Sequence, residues 1–296
     1  MSAATKTFHD NLYVYFVNRS GTHIDKSLVF CENKACTGSF NIKEFIGSLC
    51  SNDSRALNSI TGTCRNRIEI TINFCQSDCI RIGAGDERWC SFSHHTSYAR
   101  NTREEFTSDA NKALAEARKH FAECTKVIIT LGTAWCFRNV TSGRIVSNCL
   151  KRPAAEFTRE RLSSSEISDI LKEIAALCQG KQLIFTVSPI RHFKDGAHGN
   201  QISKASLLLG IEDFLCGCPV DLSMDPHYPA DYFPAYEIMM DELRDYRFYA
   251  EDMCHPSQQA VNYIRERFLS WALPADEHPR LEENIREFKR NSHRKI

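Results

Sequence analysis

Two apolar hexads constrain the fold of this chain more than any other feature. Lys126-Val-Ile-Ile-Thr-Leu131 and Gln182-Leu-Ile-Phe-Thr-Val187 are short and rich in β-branched residues. That is the pattern of strands buried on both faces of a parallel sheet. Each follows a helix-forming stretch. Before the first, Phe106, Ala110, Leu114, Ala117 and Phe121 trace one helical face, opened by the capping box Thr102-x-x-Glu105. Before the second, Ser163-x-x-Glu166 caps a helix whose apolar face is Ile167, Ile170, Leu171, Ile174 and Leu177, and Gly180 ends it. A third helix is expected over 201–215, with Ile202, Ala205, Leu208, Leu209 and Ile211 as its apolar face. A late one is expected over 257–272, carrying Ala260, Tyr263, Ile264 and Phe268. Strand and helix alternating at these lengths predict an α/β fold, a parallel sheet with helices on both faces. The charged stretch 276–296 reads as a peripheral helix or a tail.

Charge narrows the partners. Lys+Arg and Asp+Glu are both 37, so no strongly basic face is implied, which argues against nucleic acid as the main partner. There is no basic segment leading into an apolar one and no apolar run long enough for a bilayer. A cytoplasmic protein is expected, with no membrane partner. Fourteen cysteines are unusual, and seven fall between Cys31 and Cys90. Without a secretion signal a disulfide framework is not expected. Cys75, Cys79, Cys90, His94 and His95 lie close together and raise zinc as a minor alternative. The chain has no Cys-x-x-Cys pair, however, and the spacings present are weak metal signals. Most of the cysteines read as small buried apolar residues. The expectation is no metal and no cofactor.

In a parallel sheet, ligands bind outside the carboxyl ends of the strands. Two segments stand there, Gly132-Thr133-Ala134-Trp135 and Ser188-Pro189-Ile190-Arg191-His192. A third polar segment, Asp252-Met253-Cys254-His255-Pro256, is expected at the same rim. Its Asp-x-x-His spacing lets one short loop supply a base and the carboxylate that fixes its tautomer. Spacing alone leaves a salt-bridged surface turn as the alternative.

Several segments, in order, resemble the GSCFA family. They are Trp89-Cys-Ser-Phe-Ser-His94-His95-Thr-Ser-Tyr98, Thr130-Leu-Gly-Thr-Ala-Trp135, Thr186-Val-Ser-Pro-Ile-Arg-His192 and Asp195-Gly-Ala-His-Gly-Asn200-Gln-Ile-Ser203-Lys204-Ala205. Tyr232-Phe-Pro-Ala-Tyr236-Glu237-Ile238 and Asp241–Ser257 continue the series. Through its similarity to SGNH-type hydrolases, the family implies a three-layer α/β/α sandwich with a mainly parallel central sheet. It also implies a serine nucleophile after the first strand and a histidine in a late Asp-x-x-His loop. One α/β domain over 1–274 is expected on this basis, divergent over 1–88, with 275–296 outside it. The Gly-Ser-Cys-Phe-Ala block that names the family has no intact copy. Gly38-Ser39-Phe40 is its best counterpart, and Gly47-Ser48 competes from inside the helix expected after it.

The resemblance thus implies Ser39 as nucleophile, His255 as base and Asp252 as the residue that orients it. The backbone N–H groups of Phe40 and Gly132 are the candidate oxyanion donors, with Thr133 beside them. Ala134 stands where SGNH enzymes carry an Asn, and Asn200 or His95 is the candidate replacement. Arg191 and His192 either meet an anionic substrate group or pair with Asp195 or Glu237. Lys204 can sit on the helix surface, in a salt bridge or against substrate. Tyr232 and Tyr236 either stack on a sugar or pack as half-buried rim aromatics. Asp241, Arg244, Asp245 and Arg247 read as a structural ion-pair network. The implied activity is ester hydrolysis, with carbohydrate deacetylation and O-acyl transfer as variants. A catalytically impaired relative that binds a small molecule or carbohydrate is the alternative.

Overall fold

The computed structural model describes residues 13–17, 74–217 and 230–293. Its strands in chain order are β1 (Tyr13–Val17), β2 (Ile80–Arg81), β3 (Trp89–Cys90), β4 (Lys126–Leu131) and β5 (Trp135–Asn139). They continue as β6 (Ile145–Val146), β7 (Phe157–Arg161), β8 (Gln182–Val187) and β9 (Ala230–Tyr232). The longer helices are α1 (Arg103–Glu123), α2 (Ser164–Leu177), α3 (Gly196–Gly217), α4 (Gln258–Ala272) and α5 (His278–His293). The fold is mixed α/β.

The two hexads are neighbouring parallel strands. β4 pairs with β8 in register from Lys126↔Gln182 to Leu131↔Val187, and β9 adds in parallel on the far side of β8. Val127, Ile129, Leu131, Leu183, Phe185 and Val187 are fully buried on one face and Ile128 and Ile184 are buried on the other, as strands covered on both faces require. β1 lies on the other side of β4 and runs antiparallel to it, Tyr13 opposite Thr130. The parallel part of the sheet is thus three strands, β4-β8-β9.

Local signals place α1 and α2 as expected. Glu105 N–H donates to Thr102 Oγ1 and Thr102 N–H to Glu105, at 3.1 and 3.3 Å. Ser163 and Glu166 form the same reciprocal pair at 3.3 and 2.8 Å. The predicted apolar faces of both helices are buried. Gly180, at φ +76°, takes the left-handed turn that returns the chain from α2 to β8.

α3 departs from the expectation in a telling way. Ile202 and Leu209 are exposed, at 38% and 57%, and Ala205 is exposed as well. Of the expected face Ile211 is buried and Leu208 packs partly buried against the core, and the rest of the buried face is Ser203, Lys204, Leu207 and Phe214. Gly210 lies on that face against α2. A Cβ there would stand 2.5 Å from Ile167 Cγ2 and 3.0 Å from Ser164 O, so only glycine permits this helix approach. The inward face of α3 thus joins the apolar stripe Leu207, Ile211 and Phe214 to the polar groups that the strand ends need.

Between β4 and α2 the chain builds a three-stranded antiparallel sheet, ordered β6-β5-β7, that the strand–helix alternation does not foretell. Its strands carry charge rather than an apolar run. Arg138 pairs with Glu160, which belongs to the next strand, and Arg159 stacks 4.3 Å from the Trp135 ring. Cross-strand pairs of this kind stabilise a sheet without an apolar pattern to announce it. After β9, a short helical turn at Ala235–Glu237 continues as a π-helix over Ile238–Leu243. Ser257 then caps α4, and Ile264 and Phe268 pack towards Phe233 and its neighbours. Among the described residues no helix is long and apolar enough to cross a membrane.

Candidate active site

The Asp252–His255 loop is held by its own carboxylate. Asp252 Oδ1 accepts the backbone N–H groups of Cys254 and His255 at 2.9 and 3.0 Å. Asp252 Oδ2 lies 2.6 Å from His255 Nδ1. A carboxylate only accepts, so Nδ1 carries the proton and Nε2 is the basic nitrogen. The two backbone donors, reinforced by His255, hold the Asp252 carboxyl down at about 2. Met253 sits at φ +58°, a left-handed turn that non-glycine residues seldom adopt. Ala250 N–H to His255 O at 2.8 Å and Ser257 N–H to Phe248 O at 2.7 Å close the loop onto the start of α4.

The loop is tied to the end of β8. Arg191 N–H donates to Cys254 O at 3.2 Å, and Cys254 Sγ lies 2.7 Å from Arg191 O. The Arg191 guanidinium lies over the Tyr249 ring at 3.8 Å and reaches Met253 O at 3.5 Å. One residue on, His192 Nε2 lies 3.1 Å from Gly132 O, and a carbonyl can only accept, so Nε2 is the donor. The three segments expected at the rim are therefore joined by hydrogen bonds, from 132 through 188–192 to 252–255.

Beneath the rim sits Lys204, only 1% exposed. Its Nζ donates to Gly132 O at 2.6 Å and to Ser188 O at 2.7 Å, the carbonyls just beyond the ends of β4 and β8. Ser203 Oγ accepts the Ala134 N–H at 2.8 Å and meets Thr133 Oγ1 at 3.0 Å. Thr133 Oγ1 in turn accepts the Trp135 N–H at 3.1 Å. Asn200 Oδ1 takes the His192 N–H at 3.0 Å. Asn200, Ser203 and Lys204 of α3 thus fix the backbone after both strands.

The sequence model of the GSCFA family matches residues 61–268. The chain belongs to the GSCFA family. No curated protein and no solved structure matches it.

The span shared with the GSCFA family includes every rim segment just described. It begins after Ser39 and Phe40, which lie outside the described residues, as does the competing Ser48. Gly132 and Thr133 present backbone N–H groups that no acceptor takes among the described residues. The Thr133 side chain, by contrast, belongs to the Ser203 network. His95 caps its own turn, its Nδ1 accepting from Ser97 N–H at 3.1 Å. His94 is a core residue of this GSCFA protein. Its Nδ1 meets Ser91 Oγ at 2.6 Å, the rings of Phe74, Tyr98 and Phe106 surround it, and burial pushes it down to about 4.

The pairings expected for Arg191 and His192 fall elsewhere. Asp195 joins Arg159, and Glu237 accepts from the Tyr232 hydroxyl at 2.8 Å. Tyr236 is buried, with its hydroxyl 2.6 Å from Gln201 Oε1. Arg244–Asp241 and Arg247–Asp245 are two local exposed pairs, at 3.5 and 3.7 Å. Among the nine described cysteines Cys79, Cys90, Cys124, Cys136 and Cys178 are buried, and no disulfide joins any two of the nine. The thiols of Cys79 and Cys90 point at backbone carbonyls of Cys75 and His95, and no group of ligands suited to a metal forms among the described residues.

Lys204 is the site residue that a local reading places least well. A signal for it exists. Leu207, Ile211 and Phe214 follow at three, seven and ten residues, one helical stripe that carries Lys204 inward.

Proposed function

We propose that this protein is an SGNH-like serine hydrolase of esters, with Ser39 as nucleophile, His255 as general base and Asp252 as its orienting carboxylate. The observation that carries the proposal is the Asp252–His255 loop. Its carboxylate is fixed by two backbone N–H groups and pointed at Nδ1, which leaves Nε2 as the base. Ser39 Oγ attacks the ester carbonyl carbon while His255 Nε2 takes the hydroxyl proton. The tetrahedral adduct collapses, the C–O bond to the alcohol breaks, and Nε2 returns the proton to the departing alkoxide. Water repeats the sequence on the acyl-serine and releases the acid. A sugar hydroxyl in place of water makes the same site an O-acyltransferase, and an acetylated carbohydrate is the substrate class we favour.

The N–H groups of Gly132 and Thr133, which no acceptor takes among the described residues, supply the oxyanion donors in this reading together with that of Phe40. The wider architecture goes with it: a three-layer α/β/α sandwich over one domain, 1–274, with 275–296 outside it. The free thiols favour a reducing, cytoplasmic location.

One observation favours a second reading, a binding module for a small molecule or carbohydrate. Ala134 stands where an Asn donor is expected, and Asn200 Oδ1 is engaged by the His192 backbone. Hydrolysis of p-nitrophenyl acetate by the full chain, beside Ser39→Ala and His255→Ala, decides between them. Turnover lost in both folded variants, with a serine-directed phosphonate attached at Ser39, supports the enzyme. No turnover and no labelling supports the binder.

A further inference from the structure

We infer that Lys204, with His192, holds the Gly132–Thr133 peptide so that its N–H serves as an oxyanion donor. Both are positioning residues, and the inference rests on the serine-hydrolase reading above. It supplies a physical reason why the site can dispense with an Asn at position 134.

The argument begins at the end of the parallel ladder. The last rung between β4 and β8 is Ser188 N–H to Leu131 O at 2.9 Å. In a parallel pair the next rung runs from Thr133 N–H to Ser188 O. That rung is absent. Lys204 Nζ occupies the Ser188 carbonyl instead, at 2.7 Å, and the Gly132 carbonyl at 2.6 Å. His192 Nε2 is a second donor to the Gly132 carbonyl.

Peptide planarity does the rest. The C=O of Gly132 and the N–H of Thr133 belong to one trans peptide and point in opposite directions. Two donors, Lys204 on α3 and His192 in the loop before it, hold the carbonyl, so the N–H is turned away from Lys204. No acceptor takes it among the described residues. Hydrogen bonds to the carbonyl also polarise the peptide, and that makes its N–H a better donor. At the second carbonyl Lys204 has no such effect, because the residue after Ser188 is Pro189, which lacks an N–H. Lys204 therefore closes one strand end and arms the other. Ser203 holds the next N–H, that of Ala134, and so removes it as a donor to substrate.

The test compares full-length wild type with Lys204→Met, a substitution of similar length that cannot donate. The substrate is p-nitrophenyl acetate. Two ligands accompany it, an aryl trifluoromethyl ketone, which gains an oxyanion when a serine adds to it, and the matching methyl ketone. The expected result is a kcat lower by about 10²-fold, the loss typical of one oxyanion donor, with KM held within about twofold. The trifluoromethyl ketone should weaken in step with kcat, and the methyl ketone should not.

Where Lys204→Met does not fold, His192→Leu and His192→Gln serve, since glutamine keeps a donor for the Gly132 carbonyl and leucine does not. A loss in the first and rescue in the second supports the inference. Active wild type with an unchanged folded Lys204→Met overturns the inference alone. So does equal weakening of both ketones, which marks a general collapse of the site. A wild type that neither turns over ester nor binds the trifluoromethyl ketone overturns the hydrolase reading, and the inference with it.

Discussion

Asp252 Oδ2 lies 2.6 Å from His255 Nδ1 while Oδ1 of the same carboxylate takes two backbone N–H groups of the loop. One side chain therefore shapes the turn and sets the imidazole tautomer. Both tasks are local, within three residues, so neither needs the rest of the fold.

Asp252→Asn should keep the turn but lose the fixed tautomer. A fall in kcat of about 10²–10⁴ is expected, by analogy with the loss of a triad carboxylate, with KM little changed. The Asp252 carboxyl is held at about 2 against an ordinary 3.8. A depressed carboxyl stabilises the fold above its ordinary value and ceases to as pH falls through about 2. A kcat/KM profile above pH about 4 should accordingly carry no limb from Asp252. Steady-state kinetics across pH checks both statements.

Met253 carries the cost of a left-handed backbone at φ +58° in the same loop. Met253→Gly should remove strain of about 1 kcal/mol. Gly also enlarges the unfolded ensemble, so the expected net change in stability lies within about 1 kcal/mol of zero. Urea denaturation reads that net change. A large destabilisation would mean that the Met253 side chain, 39% exposed, packs more firmly than its exposure implies.

His94 gives the protein a pH-sensitive core. Burial lowers it from the ordinary 6.5 to about 4. Its neutral form fits the folded protein, so the stability it carries is full above pH 6.5. It is lost as pH falls through about 4, on the order of 3 kcal/mol in all. The wild type should show a falling urea midpoint between pH 7 and pH 4.5, and His94→Phe a flatter one. Equal slopes would show that His94 does not titrate with unfolding.

Gly210→Ala should destabilise by about 1–3 kcal/mol, because the added methyl meets Ile167 Cγ2 and Cβ at 2.5 and 2.7 Å and Ser164 O at 3.0 Å between packed helices. Thermal or urea unfolding measures it. A neutral result would mean that α2 and α3 separate freely.

The strands β4 and β8, the caps at Thr102 and Ser163 and the Asp252–His255 turn were all legible in the residues themselves. Each is decided by neighbours within a few positions: a buried apolar run, a reciprocal hydrogen bond, a carboxylate reaching the next backbone. α3 was not legible in that way. Its apolar residues Ile202 and Leu209 face outward, and Ser203 and Lys204 face in. The reason lies far away in sequence, at the carbonyls of Gly132 and Ser188 and the N–H of Ala134. Buried backbone groups at the ends of parallel strands must be satisfied, and that demand outweighs burying two more aliphatic side chains. The antiparallel β1 and the charged β5–β7 sheet were decided the same way, by partners that no local pattern names. Chain-local chemistry set the elements and the Asp252–His255 turn; tertiary contact gave Ser203 and Lys204 on the inward stripe of α3 the backbone partners that make them part of the site.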